Sequence, residues 1–292
     1  PVCHSLDNMS VVHRLLRKPF FGRFEVTWQW PDQAHPDHWA RVEVPTVGRH
    51  VLQALYGTAA TREPRGVLVL AHPMGKAAKG FWLRNGHAVL LRDAGFHVLL
   101  VDANGFGESA PRSFDYPLDF HAAGVVAQSL APDLRVGLFG ASFGAGWGLC
   151  VMSRRDTPFR AAVLEGVFPT LPEFWRHYPV AHAALRASQF VMPSLERRMR
   201  PEAHAAHLHG APDMLLLYGA DDPYTPPAHG QRLLSAMRES ARAELIVLPG
   251  VEHTFAYRDA TQTYLESVFG FLDHVFPVAV STPSRHQTPS HS

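Results

Sequence analysis

From residue 66 onward the chain alternates two patterns. Short runs are apolar at nearly every position: "GVLVLAH", "FHVLLVD", "RVGLFG", "FRAAVLEG", "DMLLLYG" and "AELIVLPG". Between them lie longer stretches in which apolar residues recur every three or four positions: "FWLRNGHAVLLRDAG", "LDFHAAGVVAQSLA", "FGAGWGLCVMSRR", "AHGQRLLSAMRES" and "DATQTYLESVFGFLDHVF". The first pattern predicts strands covered on both faces, and the second predicts helices. Gly95 ends the first helical stretch where a left-handed C-cap is expected, and Asp119 is placed to cap the second. Strand and helix in strict alternation predict the α/β class: a mostly parallel, doubly wound sheet with helices on both faces.

The alternation fails at three places. Residues 1–38 are mixed and interrupted by Pro19, Pro31 and Pro36, with a short amphipathic helix predicted at 11–17, and they read as an N-terminal extension. "WARVEVPTVGRHVLQALYG" then predicts two strands around a turn at Val47, Gly48 and Arg49. Residues 167–209 are long, punctuated by proline and rich in aromatics, which predicts a short helical cap insertion rather than a bare loop. The insertion divides a core at 39–166 and 210–276. Residues 277–292 lack the apolar content to fold and are expected to form a disordered tail.

Composition narrows the function classes. A formal net charge of +1 offers no concentrated positive surface for phosphates, so nucleic acid is not an expected partner. Two cysteines, Cys3 and Cys150, make no disulfide framework, and Cys150 falls in an apolar helical stretch where a buried thiol is expected. No run of 18 apolar residues occurs, so no membrane-spanning helix is predicted, and the expected location is the cytoplasm.

Candidate chemistry centres on "GLFGASFGAG". Ser142 follows an apolar strand and precedes a helix, with Gly140 and Gly144 on either side. A nucleophile on such a turn adopts a strained backbone, and the glycines remove side chains that would collide there. A serine hydroxyl needs a base, and the base needs an orienting acid. His253, in "LPGVEHTF", follows the last strand; "LLLYGADDPYTPP" offers Asp221 and Asp222 after the strand before it. An Asp-Pro turn also has a purely structural use. For an oxyanion, the backbone amides of Phe143 and Met74 are the expected donors.

Five ordered segments, "AHPMG", "DANGFGES", "GASFG", "GADDPYTP" and "GVEH", resemble the α/β-hydrolase superfamily across residues 40–276. Among its members the chain is most similar to serine aminopeptidase-like and Bem46-like hydrolases. The resemblance implies the α/β-hydrolase fold and places the acid at Asp222, the aspartate immediately before proline. Two positions depart from the family's pattern: "HPMG" stands for the commoner His-Gly, and Asn104 stands where arginine is frequent. Glu165 is the rival acid, because some members of the fold carry it on that strand.

The implied activity is a serine hydrolase acting on an ester or thioester through an acyl-enzyme. A small-molecule acyl substrate is the expected partner. Trp82, Phe168, Phe174, Trp175 and Tyr178 are the expected substrate-binding residues, with Leu171, Phe190, Met192 and Trp147 as further aromatic or apolar candidates. Acyl transfer or cyclisation, peptide cleavage, and non-catalytic ligand binding on the same fold are the alternatives. No dinucleotide fingerprint is present, and His204, His207 and His209 lack a completing ligand at a usual spacing, so no cofactor and no metal is expected.

Overall fold

The computed structural model describes residues 28–32, 34–47, 50–75 and 78–278. Eight strands form one sheet in the order β1-β2-β4-β3-β5-β6-β7-β8. They are β1 (Ala40–Pro45), β2 (Val51–Gly57), β3 (Gly66–Ala71), β4 (Phe96–Val101), β5 (Val136–Ala141), β6 (Phe159–Glu165), β7 (Asp213–Gly219) and β8 (Arg242–Leu248). β1 and β2 run antiparallel, and β3 to β8 pair in parallel. The sheet is mostly parallel, as the apolar runs predict.

Those runs are continuous because alternate residues enter different cores. Val67, Val69 and Ala71 of β3 belong to one apolar layer, while Leu68 and Leu70 belong to the other. In β7 the division is Met214, Leu216 and Tyr218 against Leu215 and Leu217. The first layer packs beneath α3 (Tyr116–Leu130), α4 (Phe143–Met152) and α9 (Pro227–Met237). The second packs beneath α1 (Gly80–Arg84), α2 (His87–Asp93) and α11 (Thr261–Val275). The remaining helices are α5 (Leu171–Phe174), α6 (Pro179–Val191), α7 (Pro193–Arg198) and α8 (Pro201–Ala205), all between β6 and β7, and α10 (Ala256–Asp259). Four short helices thus lie within residues 167–209.

Two local expectations are corrected. "FWLRNGHAVLLRDAG" is two helices, because Gly86 adopts φ +79° and breaks the run between α1 and α2. Asp119 does not cap α3, which begins at Tyr116. Its Oδ2 instead accepts from the backbone N and Nδ2 of Asn104 at 2.8 and 2.7 Å. Gly95 adopts φ +92°, and Cys150 is a buried free thiol. The helix predicted at 11–17, Cys3, turn residues Gly48 and Arg49, and the tail beyond residue 278 lie outside the described residues. Among the described residues no helix is long and apolar enough to cross a membrane.

The strand order reverses at β3, whose neighbours are β4 on one side and β5 on the other. In open parallel sheets, loops at the carboxyl ends of the strands diverge at such a point and leave a crevice. The loop after β3 carries Met74, and the turn after β5 carries Ser142.

Candidate active site

Ser142 occupies the turn between β5 and α4. Its backbone sits at φ +51°, ψ −112°, a region that L-residues rarely adopt. Its N–H donates to the Glu165 carbonyl at 2.8 Å, and its own carbonyl accepts from Gly146 N at 2.9 Å. A Cβ on Gly144 would fall 2.0 Å from the Ala71 carbonyl oxygen, and one on Gly140 would fall 2.9 Å from the Ala145 backbone. The close seating of α4 on the ends of β3 and β5 thus depends on glycine at these positions.

Three strand ends converge here. Ser142 Oγ donates to His253 Nε2 at 2.7 Å, and His253 Nδ1 donates to Asp222 Oδ2 at 2.6 Å. Both oxygens of Asp222 are further engaged. Oδ1 accepts from Tyr224 N at 2.8 Å and Thr225 N at 3.0 Å, and Oδ2 accepts from Thr225 Oγ1 at 2.5 Å. Burial pushes the Asp222 carboxyl up, but the bond and charge of His253 and the Thr225 donors outweigh it and hold the group below its ordinary value. An ionised carboxylate beside Nδ1 fixes the tautomer in which Nε2 is free to take the serine proton.

Asp221 makes no comparable contact, its backbone N instead donating to the Val251 carbonyl at 3.1 Å. Glu165 is buried below the site and accepts from Ala256 N at 3.1 Å rather than from the imidazole. Burial raises its carboxyl to about 7, the Ala256 N–H opposing.

Phe143 is the first residue of α4, so its amide lies at the positive end of that helix. Met74 lines the same cleft as Ser142 and His253. Its loop is riveted from behind: His72 Nδ1 donates to the Pro73 carbonyl at 2.7 Å, and His72 Nε2 accepts from Ala103 N at 3.1 Å. Lys79, fully buried, closes the same loop. Its backbone N and its Nζ meet the two oxygens of Asp102 at 2.8 and 2.5 Å, Nζ also reaches Glu108 at 2.7 Å, and the Trp28 ring covers it at 4.3 Å.

The cleft holds about 310 Å³, with Met74, Phe174, Trp175, Tyr178, Tyr224 and Phe255 among its walls. Of the five expected substrate-binding residues, Phe174, Trp175 and Tyr178 stand here. The other two do not. Trp82 lies on the opposite face of the sheet, edge-on to Phe139 at 5.6 Å, because α1 packs there. Phe168 is buried beneath Phe143 and against Gly146 and is core. Leu171, Met192 and Trp147 line a second cavity described below, and Phe190 is 83% exposed. Tyr224 and Thr225 were not singled out from the sequence. Tyr224 stacks on Phe174 at 5.5 Å and meets the His253 ring at 5.4 Å, and its signal was its place two residues after the acid.

His204 is tied to Ser153 Oγ at 2.6 Å and to the Arg197 carbonyl at 3.1 Å. Among the described residues no group of three or more His, Cys, Asp or Glu is placed to hold a metal ion.

The chain is 27% identical over 187 residues to human Protein ABHD12B, an alignment covering 59% of this chain and 51% of that protein, so the chain spans about half the length of the relative it matches. The esterase Pf2001 of Pyrococcus furiosus superposes with a TM-score of 0.69 at 15% identity, over 86% of this chain and 98% of that one. The acylaminoacyl peptidase of Pyrococcus horikoshii gives a TM-score of 0.65 at 13% identity, over 84% of this chain and 42% of that one. Both likenesses establish the α/β-hydrolase fold. Residues 120–278, just over half the chain and including Ser142, Asp222 and His253, match the prolyl oligopeptidase family. The chain belongs to that family and is a serine hydrolase of the α/β-hydrolase superfamily.

Proposed function

We propose that this serine hydrolase cleaves a carboxylic ester or thioester bearing an apolar acyl or aromatic group. The observation that carries the reading is the continuous chain Ser142 Oγ, His253, Asp222, with bonds of 2.7 and 2.6 Å, opening into an aromatic cleft. His253 takes the hydroxyl proton as Ser142 attacks the acyl carbon. The amides of Phe143 and Met74 stabilise the oxyanion, and His253 returns the proton to the departing alcohol or thiol. Water activated by His253 then frees the acid. Asp222 stays ionised throughout and stabilises the imidazolium.

The cleft walls favour an ester over a free peptide. Among the described residues no aspartate or glutamate lines the cleft to receive a substrate ammonium, and Arg84 is the one Lys or Arg that lines it. Peptide cleavage is the second reading, favoured by the family match itself. Paired p-nitrophenyl esters and p-nitroanilides with the same acyl group separate the two. A fluorophosphonate probe should label the wild type and leave Ser142→Ala unlabelled. Folded wild-type protein that resists the probe would remove Ser142 from the chemistry and favour a binding protein.

A further inference from the structure

A second cavity lies behind the cleft. It holds about 190 Å³ and is walled by Tyr116, Trp147, Trp175, Leu185, Leu195 and Met199, among others. Among the polar groups in its wall, Ser188 Oγ donates to the Leu185 carbonyl at 2.7 Å and Glu196 is held by Arg200 at 2.5 and 2.9 Å, while Trp147 Nε1 is buried with no hydrogen-bond partner among the described residues. The lining is mainly apolar, and an apolar cavity of about 150 Å³ is already large enough to take up benzene. A space of this size and lining can take an apolar group.

Its position names one. Trp147 of α4 follows Ser142, the helix's N-cap, by five residues, about 7.5 Å along the axis at about 1.5 Å per residue. Trp175 is 3% exposed and lines both the cleft and the rear cavity, so one indole forms the partition between them. The far wall comes from α6, on which no residue is fully buried, so that wall can shift outward more easily than the sheet-backed side.

We propose that the rear cavity receives the distal hydrocarbon of a long acyl group whose carbonyl is held at Ser142, with Trp175 as the gate between the two compartments. The proposal rests on the ester-hydrolase reading and adds a substrate class to it: medium- to long-chain acyl esters, whose first carbons occupy the cleft and whose tail passes the indole. Substrates too short to reach Trp175 use the cleft alone.

The test is kcat/KM for p-nitrophenyl acetate, hexanoate and decanoate. Leu185→Trp fills the rear cavity from α6 and should lower the decanoate-to-acetate ratio at least tenfold. Trp175→Ala removes the partition and should raise that ratio. Ala184→Phe, which fills the same space from a neighbouring position, serves if Leu185→Trp fails to fold, as judged by its thermal midpoint. A ratio within twofold of wild type in a folded filling variant overturns the proposal. A wild type that hydrolyses acetate while its filling variants keep the same ratio sinks the rear cavity and spares the proposed function. Should the wild type turn over no ester, brominated decanoic acid still decides. Quenching of tryptophan fluorescence that is lost in Leu185→Trp upholds a hydrocarbon site, and no quenching overturns it.

Discussion

Glu165 provides a measurement that tests the electrostatics and the acid assignment together. Burial raises its carboxyl from an ordinary 4.5 to about 7, so the native state holds the proton more tightly than the unfolded chain. Below pH 4.5 both states are protonated and the group contributes no pH dependence. Between 4.5 and 7 the unfolded chain gives up the proton first, and stability falls as pH rises. Above 7 the loss is complete, at about 3 kcal/mol, taking about 1.4 kcal/mol for each pKa unit. Glu165→Gln removes the titration and keeps an oxygen to accept from Ala256 N. Urea unfolding of both proteins at pH 4.5 and pH 8 should show the variant gaining about 3 kcal/mol relative to wild type between the two. Asp119, also raised to about 7 by burial, is common to both proteins and cancels in the difference. Because Asp222 rather than Glu165 receives the imidazole N–H, the variant should keep kcat within about tenfold of wild type, given that loss of a triad carboxylate costs about 10⁴. A stability difference that does not change with pH would refute the burial argument. A loss near 10⁴ in kcat would transfer the acid role to Glu165.

Asp222→Asn should lower kcat by about 10⁴, by analogy with a triad serine protease, while Asp221→Asn stays near wild type; equal losses in the two would break the assignment. Asp102→Ala should cost about 3–5 kcal/mol in denaturant unfolding, because it strands the buried Lys79 ammonium with Glu108 and the Trp28 ring as its remaining partners. A cost under about 1 kcal/mol would show that the ammonium finds water or another acceptor.

The site was legible in the sequence where local chain geometry dictates it. A serine flanked by glycines between a strand and a helix has few ways to pack, and an Asp-Pro loop and a Gly-Val-Glu-His loop each follow their own strand. Legibility ended where only tertiary packing decides. Trp82 and Trp175 look alike as aromatics in apolar segments, yet α1 crosses to one face of the sheet and α5 to the other, and helical periodicity carries no information about which. Phe168 looked like a cleft residue because it stands among cleft residues, but Gly146 admits its ring into the core. The cluster of Lys79, Asp102 and Glu108 was invisible for a different reason. Its members lie in two segments, Lys79 in the loop after β3 and Asp102 and Glu108 in "DANGFGES", and a buried lysine next to "GFWL" has no pattern that distinguishes it from a solvated one.

The two ends of the site are held differently, and the difference matches what each must do. Proton transfer and oxyanion stabilisation tolerate errors of about 0.5 Å, so their groups need supports that are themselves locked. Here every oxygen of Asp222 is multiply bonded, His72 and Lys79 pin the Met74 loop, and backbone glycines set the seating of Ser142. The wall facing the substrate needs shape more than precision. In the proposed rear cavity that wall includes Leu171 and Pro172 of α5 and Ala184, Leu185 and Ser188 of α6, and α6 has no fully buried residue to anchor it. If the rear cavity takes the acyl tail as proposed, repacking Trp175, Leu185 and their neighbours changes the preferred substrate without moving any reacting atom. Substitutions confined to α6 should therefore alter which ester is taken, through KM and chain-length preference, and leave reactivity toward a small fluorophosphonate at Ser142 near that of the wild type.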